Sequence, residues 1–221
     1  PESSARHAMS RILLGVAGGI AAYKACLLLR RFTEAGHEVT VVPTANALNF
    51  VGETTWAALS GRRVRTEVWQ DAHEVPHVAL GRRAELVVVA PATADLIARM
   101  AGGIADDLAT TLLLATDKPV LAAPAMNVRM WQHPATQRNL ATVRADGALL
   151  VGPDEGEMAC GEYGPGRMAE PEQILAAIRN ALGREKPLRL PPEAAVSLPL
   201  SAQAASVLVS GSPRAWRMLT S

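Results

Sequence analysis

The sequence predicts an α/β protein built on one doubly wound parallel sheet, because short apolar runs alternate along it with helical segments. Each apolar run has the length of a strand that is buried on both faces, and glycine or proline follows most of them. The clearest unit starts with an apolar run at residues 12–16, turns at Gly18 and Gly19, and continues as a helix that stops at Gly36. Ligands of such sheets bind beyond the carboxyl ends of the strands, so the functional site is expected there.

The predicted elements follow one another in regular alternation. Strands are predicted at residues 12–16, 39–42, 85–91, 119–123 and 148–151. Helices are predicted between Gly19 and Gly36, at 45–48 and 53–59, from residue 76, from Thr93 to residue 100, after Asp107 to residue 115, at 134–145 and at 171–182. Residues 62–69 are expected to form a short extended segment.

Residues 152–171 stand apart because they are rich in glycine and proline. A long glycine-rich loop inside a compact domain is usually functional, and Met158, Cys160 and Tyr163 suit a closing surface better than a solvated linker. We therefore predict a mobile lid over the site. A single domain is expected over residues 10–183, with an N-terminal tail at 1–9 and a proline- and alanine-rich tail or arm at 184–221.

The composition excludes several classes of function. The 221 residues carry 22 Lys and Arg against 21 Asp and Glu, so a nucleic-acid-binding surface is not expected. No uninterrupted apolar stretch is long enough to span a bilayer, and residues 1–10 contain no apolar core of a signal peptide. The two cysteines are far apart in sequence and suggest no disulfide framework. A cytoplasmic protein is the expectation.

The string His-Glu-Val-Pro-His at residues 73–77 has the spacing of a zinc-binding helix. Such a site needs both histidines on one face of an unbroken helix, whereas Pro76 disfavours helical geometry at Val75 and removes a backbone donor. Pro76 instead fits the first position of a new helix. No metal site is predicted.

The glycine turn indicates a mononucleotide site. Free N–H groups and the helix dipole attract phosphate at a helix N-terminus of this kind. The glycines at 15, 18 and 19 do not satisfy the dinucleotide pattern G-x-G-x-x-G, and the second strand ends in Pro43 and Thr44 where that fold places an acidic residue. Thr44 and Asn46 could instead bind a phosphate or a ribityl chain.

Five motifs in order give the sequence a specific resemblance: GVAGGIAAYK at 15–24, PHV at 76–78, APATAD at 90–95, PAMN at 124–127 and ACGEYGPGRM at 159–168. Together they resemble the flavin-containing cysteine decarboxylases. The resemblance covers about residues 10–182 and implies a flavodoxin-like fold with FMN as cofactor. It also implies an assembly, a homotrimer or a homododecamer, with the flavin near a subunit interface.

The resemblance also implies residue roles. The catalytic residues would be His77 as a base, Asn127 as the group that holds the substrate carboxylate, and Cys160 in the lid. FMN would be bound by Gly18, Gly19, Ile20, Thr44, Asn46, Phe50, Ala92 and Thr93. The substrate would be bound by Met126, Asn127, Gly164, Gly166, Arg167 and Met168.

Two substrates fit the resemblance, and both contain a cysteine carboxylate. Cys160 favours phosphopantothenoylcysteine, the coenzyme A precursor, because a lid cysteine helps to reduce the enethiol in that branch. Bacterial enzymes of that branch are usually fused to a synthetase, which favours a peptide ending in cysteine for a free-standing domain. We predict oxidative decarboxylation of a ribosomal precursor peptide, with phosphopantothenoylcysteine as the alternative. A flavin-binding regulatory subunit is a third, remote interpretation.

Overall fold

The computed structural model of the chain describes residues 9–66, 76–158 and 161–182, and for residues 76–79 it describes the backbone alone. A five-stranded parallel sheet forms the centre, with the order β2-β1-β3-β4-β5. Its strands are β1 (Arg11–Val16), β2 (Glu38–Pro43), β3 (Leu86–Ala92), β4 (Val120–Pro124) and β5 (Leu149–Leu150). This order reverses direction between β1 and β3, as the doubly wound prediction requires, and the flavodoxin-like fold is confirmed.

Helices connect the strands and cover both faces of the sheet. They are α1 (Ala22–Glu34), α2 (Glu53–Ser60), α3 (Pro76–Arg83), α4 (Ala94–Gly102), α5 (Leu108–Ala115), α6 (Val128–Gln132), α7 (Pro134–Ala145) and α8 (Pro171–Leu182). A 3₁₀ turn (Ala45–Asn49) follows β2. None of the helices within the described residues is long and apolar enough to cross a bilayer.

The core lies in two layers because alternate strand residues point to opposite faces of the sheet. Ile12 and Leu14 of β1 pack with the apolar face of α1 and with α8, while Leu13 packs with α5 on the other side. On that second side, Val89 and Ala122 contact α4 and α7. Strand β3 is buried along its whole length, which agrees with its near-continuous apolar sequence.

Segment 152–171, predicted as a glycine-rich loop that forms a mobile lid, contains regular structure, and its mobility stays a prediction. Two short strands, β6 (Asp154–Glu157) and β7 (Tyr163–Arg167), pair antiparallel in a separate two-stranded sheet. Gly164 and Gly166 both have φ of +150°, which glycine adopts readily and other residues rarely do. Sequence patterns miss such a hairpin because its strands are made of glycine, proline and charged residues, which have low strand propensity.

Two smaller differences concern local elements. Helix α6 was not predicted, since its five residues are too few to show a helical period. Within the described residues 62–66 there is no strand, so the extended segment expected at 62–69 is not seen as a regular element there. The expected tails, at 1–9 and 184–221, fall almost entirely outside the described residues, as do His73 and Cys160.

Candidate functional site

A cavity of about 810 Å³ opens at the carboxyl ends of β1 to β4, the edge at which the sequence predicts the site. Its wall is formed by the segments that follow these strands, by the N-terminal turns of α1 and α4, and by part of the hairpin β6–β7. The predicted site residues that line it are Gly18, Gly19, Ile20, Thr44, Asn46, Thr93, Met126, Asn127, Gly166, Arg167 and Met168.

The turn between β1 and α1 is built for a close approach of backbone. A Cβ added at Gly18 would overlap Asn46, with its backbone carbon only 2.6 Å away, so no side chain fits there. Helix α1 begins without a side-chain cap, whereas Thr93 caps α4 and Asn127 caps α6 at the same cavity. An uncapped N-terminus that faces a cavity is suited to a phosphate, because its N–H groups and dipole attract negative charge.

Two hydroxyl groups border this turn. Thr44 Oγ1 accepts the backbone N–H of Ala47, and Thr93 Oγ1 accepts that of Leu96, each at 3.3 Å. A hydroxyl that accepts one hydrogen bond can still donate its own proton, so each threonine can donate to a ligand in the cavity. The pair suits phosphate and ribityl oxygens, and the turn and hydroxyls together fit the expected FMN.

Asn127 is held in one orientation. Its Oδ1 accepts the backbone N–H groups of Arg129 at 2.8 Å and Met130 at 3.2 Å, which caps α6. Its Nδ2 donates to Glu162 Oε2 at 2.6 Å. The cap fixes which side of the amide carries the N–H groups, and the contact with Glu162 demonstrates that these groups can bind a carboxylate.

The hairpin is hydrogen-bonded to the segment that contains Asn127. Met126 donates its backbone N–H to Gly166 O at 3.0 Å. A Cβ at Gly166 would overlap Met126 O and approach Met158, while one at Gly164 would lie 3.2 Å from Val128. The glycines of the Gly-Pro-Gly run therefore let the hairpin lie directly on the cavity wall.

Ion pairs balance the charges in the wall. Lys24, in the first turn of α1, is buried, and its Nζ donates to Glu170 Oε1 at 2.6 Å and to Met168 O at 3.0 Å. Arg167 contacts the same carboxylate at 3.3 Å. Across the cavity, Arg99 bridges Asp95 at 3.0 Å and Asp106 at 2.6 Å. These contacts tie α1 to the segment after β7, and α4 to the start of α5.

The remaining predicted residues have other positions. Phe50 ends the 3₁₀ turn and is 51% exposed, Ala92 is fully buried at the end of β3, and Gly164 packs on Val128. None of these three lines the cavity in this single chain. His77 is the second residue of α3 and its side chain is outside the described part, as is Cys160. Their roles stay predictions.

Sequence reasoning missed Lys24 and Glu162. Lys24 falls within the apolar face of α1, and a lysine in a buried stripe is a signal that a carboxylate partner lies nearby. Glu162 carries no comparable signal, because its contact with Asn127 depends on a hairpin that the sequence did not predict.

The comparisons with known proteins agree with this geometry. The Flavoprotein family model matches residues 2–183. The chain is 55% identical over 177 residues to the coenzyme A biosynthesis bifunctional protein CoaBC of Mycolicibacterium smegmatis, which covers 80% of this chain and 43% of that protein. The chain thus spans less than half the length of the curated relatives it matches.

Two solved structures are similar over nearly their whole length. A PPC decarboxylase mutant complexed with pantothenoylaminoethenethiol has a TM-score of 0.72 and 35% identity, covering 78% of this chain and 97% of its own. The FMN-dependent cysteine decarboxylase SpaF has a TM-score of 0.70 and 35% identity, covering 80% of this chain and 97% of its own.

Proposed function

The chain belongs to the Flavoprotein family, and on that basis we propose that it binds FMN and decarboxylates phosphopantothenoylcysteine. The observation that carries the proposal is the cavity at the carboxyl edge of the sheet, where the uncapped start of α1 meets the hydroxyls of Thr44 and Thr93. A cavity of about 810 Å³ has the size of sites that enclose small-molecule ligands.

The proposed substrate is chosen from the similarity of the chain to curated proteins and solved structures. From the sequence, we predicted a peptide ending in cysteine as the substrate, with phosphopantothenoylcysteine as the alternative. Identity of 55% to a coenzyme A biosynthesis protein favours phosphopantothenoylcysteine instead, and the solved PPC decarboxylase, whose ligand is an aminoethenethiol, adds support. Cys160, which first suggested the coenzyme A branch, points the same way. The peptide remains the second candidate because SpaF is similar at 35% identity.

A cysteine carboxylate does not lose CO2 easily, because the electron pair left behind has no acceptor. FMN held by the turn before α1 would supply the missing chemistry as a two-electron acceptor for the substrate thiol, and a thioaldehyde formed in this way could accept that electron pair as CO2 departs. The substrate becomes an enethiol. With phosphopantothenoylcysteine, return of the two electrons from the reduced cofactor to the enethiol would leave loss of CO2 as the net change, and Cys160 is proposed to assist this last reduction.

The residues of the chain are proposed to bind the cofactor, orient the substrate and exclude water from the cavity. The N-terminus of α1 with Thr44 and Thr93 holds the phosphate and ribityl oxygens. Asn127, whose amide is oriented by its cap, is proposed to bind the substrate carboxylate through Nδ2. His77 is proposed to take a proton from the substrate during oxidation. The hairpin lies on the wall beside Met126 and excludes water from that side.

Product masses test the choice of substrate. The FMN-loaded protein is incubated separately with phosphopantothenoylcysteine and with peptides that end in cysteine. We expect the first to lose CO2 alone, and the Cys160→Ser variant to stall after loss of CO2 and two hydrogens. Turnover of the peptide only, with Cys160→Ser unchanged, would replace the proposed substrate with the peptide. Turnover of neither would contradict the decarboxylase itself.

A further inference from the structure

A second cavity, of about 510 Å³, lies at the opposite edge of the sheet, where β1 and β2 begin. Over ranges 9–66, 76–158 and 161–182, no residue lines both this cavity and the one at the carboxyl edge. Arginine dominates the part of its wall that the described residues form, with a single glutamate among them. The arginines are Arg11, Arg62, Arg63, Arg65 and Arg83.

The wall of this cavity carries much more positive charge than the net charge of the chain would suggest. The whole sequence has a formal net charge of +1, whereas the described residues that line this cavity include five arginines and one acidic residue, Glu38. Arg62 pairs with Glu38 at 2.8 Å, and Arg11 pairs with Glu85 at 3.5 Å. Among the described residues, Arg63 and Arg83 have no ion-pair partner. Like charges gathered around one concavity repel each other and favour a bound anion.

The arginines are carried by fixed backbone. Arg11 is the first residue of β1, and Arg83 is the last residue of α3. The backbone N–H of Arg65 donates to Val41 O of β2 at 3.2 Å, which holds the segment of Arg62 and Arg63 beside the sheet. A wall fixed from three parts of the fold needs little reordering when an anion binds, so less free energy is lost on binding.

We propose that this arginine cavity binds a small molecule that carries two or more linked phosphates, such as a nucleoside diphosphate. The planar guanidinium group matches phosphate oxygens in pairs and cannot lose its charge at neutral pH. One phosphate group can engage only some of the arginines and fills a small part of about 510 Å³, whereas a diphosphate can reach guanidinium groups on different walls. Arginine planes can also stack on a base.

Calorimetric titration of the FMN-loaded protein tests the site, because FMN then fills the phosphate-binding turn at the other edge. The probes are inorganic tripolyphosphate, ADP and adenosine. We expect tripolyphosphate and ADP to bind and adenosine alone not to bind. Raising the salt from about 50 mM to about 500 mM weakens both phosphate ligands, because salt screens exposed charges. Lack of binding by both phosphate ligands, or equal binding of adenosine and ADP, would overturn the proposal.

Two matched double variants separate the cavity from general surface charge. Arg63→Ala with Arg83→Ala removes two arginines from the wall, and Arg138→Ala with Arg144→Ala removes two exposed arginines from α7. The first pair should weaken tripolyphosphate binding at least tenfold, and the second should change it less than twofold. Equal weakening by both pairs would assign the binding to net charge and overturn the site. The flavin absorption and melting temperature of each variant report that it is folded.

Discussion

At the scale of single residues, Asn127 joins the cap of α6, the hairpin and the proposed substrate contact. Asn127→Asp keeps an oxygen that can cap the helix, but it places a carboxylate against Glu162, whose Oε2 is 2.6 Å from Nδ2 in the native contact. It also repels the substrate carboxylate. We expect FMN to stay bound and turnover to fall at least about a hundredfold, because a charge-assisted contact with the substrate carboxylate is replaced by repulsion between two carboxylates.

Glu162→Gln is the control for that variant. Its side-chain oxygen can still accept from Asn127 Nδ2, so the amide stays oriented while one negative charge is removed. Turnover within a few-fold of the native protein is expected, measured as CO2 release under the same conditions. Near-native turnover by Asn127→Asp would contradict the role given to this amide.

Cys26 gives a prediction about pH. Burial raises the pKa of its thiol above the ordinary value, with a smaller opposing effect of a backbone hydrogen bond. Since only the thiolate reacts, a raised pKa keeps the folded-state thiol neutral and unreactive to a higher pH than in the unfolded chain. In the Cys160→Ser variant, where Cys26 is the remaining thiol, alkylation at about pH 8 should be much slower in native buffer than in urea. Equal rates would contradict the effect that partial burial is expected to have on the pKa of Cys26.

At the scale of elements, the hairpin depends on Gly166. Gly166→Ala forces a Cβ onto Met126 O at a φ of +150°, so the hairpin must move away from the cavity wall. The expected cost is about 1–3 kcal/mol, the range for overpacking a close contact. Gly81→Ala in α3 is the control, since a Cβ there has no atom of the described residues within 4 Å and alanine favours a helix. Chemical denaturation of both variants measures the difference, and equal stability would contradict the packing of the hairpin.

Some elements could be predicted from the sequence and others could not. Helices α7 and α8 were predicted with the bounds that the structure gives them, because Pro134 and Pro171 mark their first turns and their apolar residues recur with a helical period. The hairpin was missed because its two strands lack the alternation of apolar and polar residues that predicts a strand. Its glycines are required by contacts with Met126 and Val128, which are distant in sequence. Local patterns cannot report such contacts.

In the site, too, local patterns predicted some features, whereas contacts between distant segments were missed. The turn at Gly18 and the residues that follow each strand were predicted correctly as neighbours, because parallel strands bring their carboxyl ends to one edge. The ion pair of Lys24 with Glu170 was not predicted, since it joins α1 to a segment 146 residues later. Contacts between side chains from distant segments become visible only when the fold is known.

At the scale of the whole molecule, α1 exposes an apolar face beside the cavity. Ile20, in the turn before α1, is 64% exposed, and Tyr23 and Leu27 of α1 are 56% and 52% exposed. The i, i+3, i+7 spacing of these three residues is that of one side of a helix. Exposed apolar side chains gathered at the edge of a site are typical of a surface that a partner covers. We propose that this face contacts another copy of the chain, in a homotrimer or a homododecamer.

Light scattering coupled to size-exclusion chromatography tests the assembly. Tyr23→Glu with Leu27→Glu should reduce the mass of the native assembly, because burying a carboxylate without a partner is costly. Leu114→Glu, at a residue of α5 that is 61% exposed, should leave the mass unchanged. A monomeric native protein, or dissociation by Leu114→Glu alone, would contradict this interface.

FMN is proposed to bind where α1 begins, and every other role proposed for the cavity depends on that position. The direct test is a fluorescence titration of the flavin-free protein with FMN, comparing Gly18→Ala with Gly52→Ala. A Cβ at position 18 overlaps Asn46, whereas one at position 52 meets nothing within 4 Å. We predict tight FMN binding by the native protein and Gly52→Ala, and at least about tenfold weaker binding by Gly18→Ala, from an overpacking cost of about 1–3 kcal/mol. A native protein that binds no FMN, or equal affinities in both variants, would contradict the claim.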